Sequence, residues 1–333
     1  MIKLKEIAFI SAFVAILLIG SNALAAELPP SINSVNSYDG KNVAYIITKD
    51  AKQAIVLNGV QSDLYDAIDP AFMFSPDSKK LVYKAKQDGK WFLVINGEKS
   101  SVGYDEINPF AFSQEKPESK TFAYSAKVAL KYYVYFNSQE FGPYDDLASG
   151  FPATDNSPNH FAYKVSLGGK WFYIVNGKEI SKYDDVSMEM FNDSGKFAFV
   201  ATKNNKKIMV IDSKESKPYA EIQTVGKGVN GDNNFYYTVK LDNGKYQLMS
   251  SVKEASRAYD GINGYDFSTY KKIKWMSAKA KDKAFYVING KDQKAYDGIS
   301  PFLYISDDES QYVYFGLIGK KFVTVVNGKE IKN

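Results

Sequence analysis

An all-β fold of small four-stranded antiparallel sheets, set as the blades of a β-propeller, is what the sequence predicts, and three observations predict it. A short pattern recurs eight times, its closing turn falling at Asn58, Asn96, Asn137, Asn176, Asp212, Ser250, Asn289 and Asn327, at intervals of 36 to 41 residues. Every copy carries turn signals at similar offsets. Between the turns lie runs of five to seven residues rich in Val, Ile, Tyr, Phe and Trp. A fixed period near 40 residues with several turns per period marks a repeat architecture. Four short strands per repeat and eight repeats predict eight blades, with seven as the alternative if the terminal units merge.

The chain begins with a segment outside the repeats. Lys3 and Lys5 form a short basic start, Ile7 to Gly20 is almost wholly apolar, and Ala23-x-Ala25 is a small-x-small cleavage pattern. This predicts a secretory signal peptide over residues 1–25, cut after Ala25. The apolar run is shorter than the roughly 20 residues that span a bilayer. No other segment is long and apolar enough to cross one. The remaining 308 residues give 38.5 per unit when divided by eight, so residues 26–333 form a single propeller domain.

Within a unit, the first turn is clearest at Ser75 to Lys80. There Pro76 presets φ for the second position of a type I turn and Asp77 follows. Ser37-Tyr38-Asp39-Gly40, Asn192-Asp193-Ser194-Gly195 and Ser306-Asp307-Asp308 are its counterparts. The second turn is Asp88-Gly89, matched by Gly168-Gly169 and Asn243-Gly244. The third is Asn96-Gly97, matched at residues 58–59, 176–177, 289–290 and 327–328. Asn-Gly and Asp-Gly accept positive φ at both central positions, as a two-residue type I′ hairpin requires.

The strands follow from composition. "KLVYKAK" at Lys80 to Lys86, "KWFLVI" at Lys90 to Ile95, "KWFYIV" at Lys170 to Val175 and "KKFVTVV" at Lys320 to Val326 are β-branched or aromatic. Several are continuously apolar, as expected of a sheet buried on both faces. One blade buries too little alone, so packing on both neighbours must supply the core, and a ring that closes on itself needs no capping repeat. The first unit reads as three strands and then Val60 to Ile68 as its fourth. The last unit stops at Asn333, after its third turn, and is expected to lack a fourth strand. Residues Glu27 to Ser34 are expected to supply part of it and lock the ring.

After the third turn most units share a Tyr-Asp phrase, at Tyr65-Asp66, Tyr104-Asp105, Tyr144-Asp145, Tyr183-Asp184, Tyr259-Asp260 and Tyr296-Asp297, with Tyr219-Ala220 as a worn copy. A pair present in nearly every repeat serves the repeat: the tyrosine is expected to cover the outer edge of the blade, the aspartate to cap the turn into the next. Trp91 and Trp171 open equivalent strands and are expected in the core. Trp275 breaks the pattern.

Little in the sequence speaks for chemistry. There is no cysteine, which excludes thiol catalysis, thiolate metal sites and a lipid-anchored N-terminus. No Gly-x-Ser-x-Gly elbow is present. The single histidine, His160, would have to serve any Ser-His-Asp triad and reads as a surface residue at a turn. Asn230, Asp232 and Asn233 in "GVNGDNNF", Gly228 to Phe235, carry oxygens of the kind calcium prefers, but the spacing is that of an ordinary turn. No carboxylate pair stands out for sugar chemistry. Removing the leader takes the net charge from +4 to +3, and arginine appears once, at Arg257. Recognition of phosphate or base edges favours arginine, so nucleic acid is not an expected partner. The sixth and seventh units, Glu221 to Lys283, depart most from the consensus and read as drift.

"FSPDSKKLVY", with its relatives "KTFAY", "NDSGKFAFV" and "SDDESQYVYF", resembles the WD40-like propeller repeat of bacterial proteins. Similar repeats form the propeller of TolB-type translocation proteins and the N-terminal propeller of prolyl oligopeptidase-type peptidases. The resemblance covers roughly residues 31 to 333. The order "GKW…YDEI…F" is also similar to WG repeats, which are shorter and lack the Ser-Pro-Asp turn. The resemblance implies a stand-alone propeller, since no residues remain for a hydrolase domain or for an extra N-terminal domain.

The expectation is therefore an exported, periplasmic or extracellular, non-enzymatic propeller that binds a protein partner. It has no expected catalytic, cofactor-binding or metal-ligating residue, and no membrane contact after leader removal. The alternatives are a carbohydrate-active propeller enzyme and a sensor binding a small molecule or calcium.

Overall fold

Residues 33–112, 121–137, 139–148, 153–154, 160–228, 232–266 and 272–331 are described by the computed structural model. They form eight antiparallel sheets in strict chain order, with no strand exchanged between sheets. The second blade shows the unit. Its first strand is two short pieces, Ala67–Ile68 and Met73–Phe74, both paired with Leu81–Gln87. Lys90–Ile95 and Glu98–Lys99 complete the meander. Seven sheets have all four strand positions. The sixth keeps three, Glu221–Lys227, Phe235–Lys240 and Tyr246–Ser250, with a lone Met249–Glu254 bridge beyond them. The eight blades make this an all-β protein of propeller architecture.

The turns obey the residue chemistry. Asp88 and Gly89 have φ of 52° and 78°, Asn96 and Gly97 51° and 86°. The third-turn asparagine has a second task. Its side-chain oxygen accepts the N–H of the residue that opens the second strand: Val43 to Asn58 at 2.9 Å, Leu81 to Asn96 at 2.8 Å, Phe122 to Asn137 at 2.9 Å. Asp212 does the same for Phe197, and Ser251 replaces it for Phe235 in the sixth blade. In the first turn a serine hydroxyl donates to the aspartate two residues on, as Ser37 to Asp39 at 2.6 Å and Ser306 to Asp308 at 2.7 Å.

Packing joins the sheets pairwise. Seven apolar clusters each draw on two consecutive blades. Between the second and third blades, Val82 and Leu93 meet Tyr104, Ile107, Phe110, Phe112 and Phe122. Burying each of the larger side chains is worth about 1.5 to 3 kcal/mol, so the interfaces carry the stability that no single blade has.

Two expectations are corrected. Val60 to Ile68 is not one strand: Val60–Gln61 ends the first sheet and Ala67–Ile68 begins the second. The last unit does have a fourth strand, Lys329–Ile331, paired with Lys321–Val326. Ser34–Asn36 pairs with Val43–Lys49 as the first strand of the first blade, and residues 27–32 of the expected closing segment lie outside the described residues. Among the described residues no apolar cluster joins the eighth blade to the first. Val43, on the free face of the first blade, is 39% exposed, whereas its counterpart Leu81 is 3% exposed.

Candidate functional site

The Tyr-Asp phrase is the crossover between blades. Tyr65 exchanges two backbone hydrogen bonds of 2.8 Å with Gln53 in the first blade, while the next amide, Asp66 N–H, donates to Lys86 of the second at 2.9 Å. The aspartate carboxylate then clasps both blades. Asp66 takes Lys52 Nζ at 3.3 Å from one and the Asp88 N–H at 2.8 Å from the other. Asp145 takes Lys131 at 2.5 Å and the Gly168 N–H at 2.7 Å. Asp105, Asp184, Asp260 and Asp297 repeat the arrangement. These contacts hold the carboxyls below the usual aspartate range. The Lys90, Lys131, Lys170 and Lys283 ammoniums act first on Asp105, Asp145, Asp184 and Asp297, and the turn amides of Asp88 and Lys281 on Asp66 and Asp260.

The tyrosine does more than cover an edge. Tyr65, Tyr104, Tyr144, Tyr183, Tyr259 and Tyr296 are all buried between blades. Several reach an acid after the next third turn: Tyr144 donates to Glu179 at 2.6 Å and Tyr259 to Asp292 at 2.8 Å. Arg257, the single arginine, pairs with the same Asp292 and lies 4.6 Å over the Tyr259 ring. These residues are committed to the architecture.

The other candidates are placed as follows. His160 stacks on Phe191, ring centres 5.1 Å apart, against the first turn of the fifth blade. A Cβ at Gly195 would fall 2.2 Å from the imidazole, so that turn needs its glycine, whose φ is +79°. Trp91 and Trp171 are half-buried at blade interfaces, with Lys86 and Lys164 over their rings at 5.7 and 4.9 Å. Trp275 opens the second strand of the seventh blade and packs edge-on to Tyr286, centres 5.5 Å apart.

In the Gly228 to Phe235 turn, Asn230 lies outside the described residues. Asp232 spends one oxygen on the Asn234 amides at 3.1 and 2.8 Å, and the other on the Tyr236 hydroxyl at 2.7 Å. Among the described residues, no three His, Asp or Glu side chains gather closely enough to hold a metal ion. A cleft of about 470 Å³ opens beside this turn between the fifth and sixth blades, lined by Lys196, Lys214, Glu215 and Asp232 among others. Its charges are of both signs and define no one ligand.

The free face of the eighth blade departs from the repeat at Phe315 and Leu317. There Phe315 is 40% and Phe322 72% exposed, beside a recess of about 570 Å³ lined by Ile299, Pro301, Phe315, Leu317 and Phe322. Strand register equates Phe315, Leu317 and Phe322 with Lys84, Lys86 and Trp91 of the second blade. At the Leu317 position the other seven blades carry Thr48, Lys86, Lys127, Ser166, Thr202, Lys240 and Lys279. The signal was present in "YFGLIGKKF", set against "YKAKQDGKW", but attention to the sixth and seventh units passes over it.

No protein-family model matches the chain, and no curated protein matches it. Many solved structures share a weak likeness. The Dos1 propeller is 10% identical over 90% of this chain and 92% of that one, with a TM-score of 0.32. The Cps50 (Swd1) propeller domain of Myceliophteria thermophila is 10% identical over 74% and 92%, with a TM-score of 0.28. TolB from Acinetobacter baumannii is 13% identical over 75% and 62%, with a TM-score of 0.25. At such scores none of them speaks to function. The fold rests on the chain's own repeats: eight consecutive antiparallel sheets, seven of them with all four strand positions filled, joined face to face as the blades of a propeller.

Proposed function

We propose that this chain is an exported, non-enzymatic propeller that binds protein, and that the free face of the eighth blade is its binding surface. The observation that carries the reading is the exposed apolar group of Phe315, Leu317 and Phe322, in which the Leu317 position is polar in each of the other seven blades. Apolar patches of this kind on a soluble protein mark interaction sites, and aromatic anchors supply most of the energy of such contacts. Export is supported by the basic start, apolar run and small-x-small site of residues 1–25. Among the described residues no helix is long and apolar enough to cross a membrane.

The test is affinity purification of the tagged full chain beside a F315D/F322D variant. A stoichiometric protein retained by the first and lost from the second supports the reading. Hydrolysis of a glycan panel, abolished by one Asp or Glu substitution, overturns it in favour of an enzyme. A calcium-dependent rise in melting temperature would favour a sensor. Sequencing the N-terminus of the exported protein checks cleavage after Ala25.

A further inference from the structure

Each crossover between blades is one blade gripping an extended segment, and the grip has three parts. The crossover tyrosine exchanges two backbone hydrogen bonds with the residue after the first lysine of the third strand, as Tyr104 does with Trp91 at 2.8 Å each way. The aspartate that follows takes the ammonium of that lysine, whether Lys52, Lys90, Lys131, Lys170, Lys245 or Lys283. Where the phrase reads Tyr219-Ala220, Lys206 turns instead to Asp242, 3.4 Å away. Two residues further on, an aliphatic side chain enters the apolar contact. Ile107 lies in one cluster with Val82, Leu93 and Trp91 of the second blade, and its carbonyl accepts Lys84 Nζ at 3.3 Å.

The eighth blade keeps a receptor for each part. Lys321 opens its third strand and Phe322 follows, at the positions of Lys90 and Trp91. Among the described residues Phe322 has no bridging tyrosine and Lys321 no ion pair. Where the second blade has Lys84 and Lys86, the eighth has Phe315 and Leu317, which border the recess of about 570 Å³. An aliphatic side chain gains more from that lining than from lysine stems. Residues 26–33 contain neither tyrosine nor aspartate, and Pro29 and Pro30 have no N–H to give, so that stretch carries no copy of the phrase. All of these receptors belong to the eighth blade, so the site does not depend on how that blade meets the first.

We propose that the edge of the eighth blade beside Phe322 binds an extended Tyr-Asp-x-Ile segment of another protein. Phe322 pairs with the backbone of its tyrosine, Lys321 with its aspartate, and the Phe315 and Leu317 recess takes its aliphatic side chain. The inference rests on the protein-binding reading above and names the chemistry of the partner. Main-chain pairing at a sheet edge supplies affinity, and side-chain pockets beside it supply specificity. The partner is not a second copy, because the tyrosines of all seven phrases in this chain are buried between blades.

The probe is a fluorescein-labelled peptide with the sequence of residues 101–110, SVGYDEINPF, titrated against the purified chain and followed by anisotropy. Saturable binding is expected, with protection of the Phe322 amide from hydrogen exchange. K321E in the protein, or D105N in the peptide, should weaken it about 5-fold, and F322D at least about 30-fold, with unchanged circular dichroism. L317K should also weaken it, and it keeps the fold because the second, third, sixth and seventh blades carry lysine there. N-methylation of the peptide tyrosine removes the N–H that pairs with Phe322 and should cost about 10-fold. Binding indifferent to both N-methylation and D105N would be apolar adhesion and would overturn the proposal. Absence of binding overturns it too, as does binding that appears only when residues 26–32 are deleted, since the chain would then fill the edge itself. If the peptide fails while the chain still retains a protein that F315D/F322D loses, this inference falls and the protein-binding reading stands. If neither binds, both fall.

Discussion

The Asp66 carboxylate accepts the backbone N–H of Asp88 at 2.8 Å, tying the hairpin of the second blade to the segment that leaves the first. The two lie 22 positions apart and enclose the first and second strands of a blade, so the bond fixes how one sheet sits on the next. Its five recurrences give the series one repeated joint.

That joint sets an acid limit on stability. The clasping aspartates have folded pKa values below the unfolded value of about 3.9. Asp308, held by the Ser306 hydroxyl and the Ser310 amide, falls to about 2. A depressed folded pKa contributes stability that is complete above the unfolded pKa and is lost as pH falls through the folded one. The melting temperature should therefore be insensitive to these groups from pH 7 to about 5 and fall below about 4. D105N/D297N should start lower at pH 7 and lose less on acidification. A variant with the wild-type acid profile would rule the clasps out as its source.

The alkaline limit has the opposite sign. Burial first, then nearby acids, pushes Tyr183 and Tyr296 up to about 12, and burial first, then the Asp292 contact, does so for Tyr259. A neutral tyrosine favoured in the fold contributes stability below its unfolded pKa of about 10, lost as pH rises toward 12. Alkaline unfolding followed by tyrosinate absorbance should begin above about pH 10. Ionisation of the buried tyrosines should coincide with loss of circular dichroism. Their ionisation in a still-folded chain would contradict the burial.

Asn96 combines a turn conformation with a strand anchor, and three substitutions separate them. Its φ of 51° favours Asn or Gly, and its side chain holds the Leu81 amide. N96G keeps the conformation and loses the anchor, about 0.5 to 1.5 kcal/mol. N96A loses both and should cost about 1 to 2 kcal/mol more. N96D keeps the acceptor, as Asp212 does naturally, and should be nearly neutral. Hydrogen exchange at the Leu81 amide reads the anchor directly: protection should fall in N96G and N96A and persist in N96D.

Much of this was legible in the sequence, for identifiable reasons. Asn96-Gly97 and Asp88-Gly89 announce their turns because the required φ values restrict residue choice locally. The Asp105 role was half legible: a repeated aspartate beside a turn reads as a cap, but its partner Ala129 lies 24 residues on in the next blade. The fourth strand of the last blade was missed because Lys329–Ile331 is too short a segment to carry a pattern of its own. The exposed Phe315 and Phe322 were read as ordinary strand residues. Whether such a face is covered depends on the orientation of blades accumulated over seven interfaces, and no local pattern records that.

Two buried tyrosines give the sharpest test of the packing, because they differ in one respect. Tyr144 and Tyr163 are both almost wholly inaccessible and share one apolar cluster. The Tyr144 hydroxyl donates to Glu179 at 2.6 Å, while the Tyr163 hydroxyl is buried with no hydrogen-bond partner among the described residues. Removing a hydroxyl bonded to a charged acceptor costs about 1.5 to 3 kcal/mol, whereas removing an unsatisfied buried one relieves a desolvation penalty. Y144F should therefore lower the denaturation midpoint, and Y163F should leave it unchanged or raise it. The phenylalanine ring keeps the apolar contacts at both sites, so cavity formation does not confuse the comparison. A large loss in Y163F would mean that its hydroxyl holds an ordered water bridging the third and fourth blades, which exchange at neighbouring amides would then reveal.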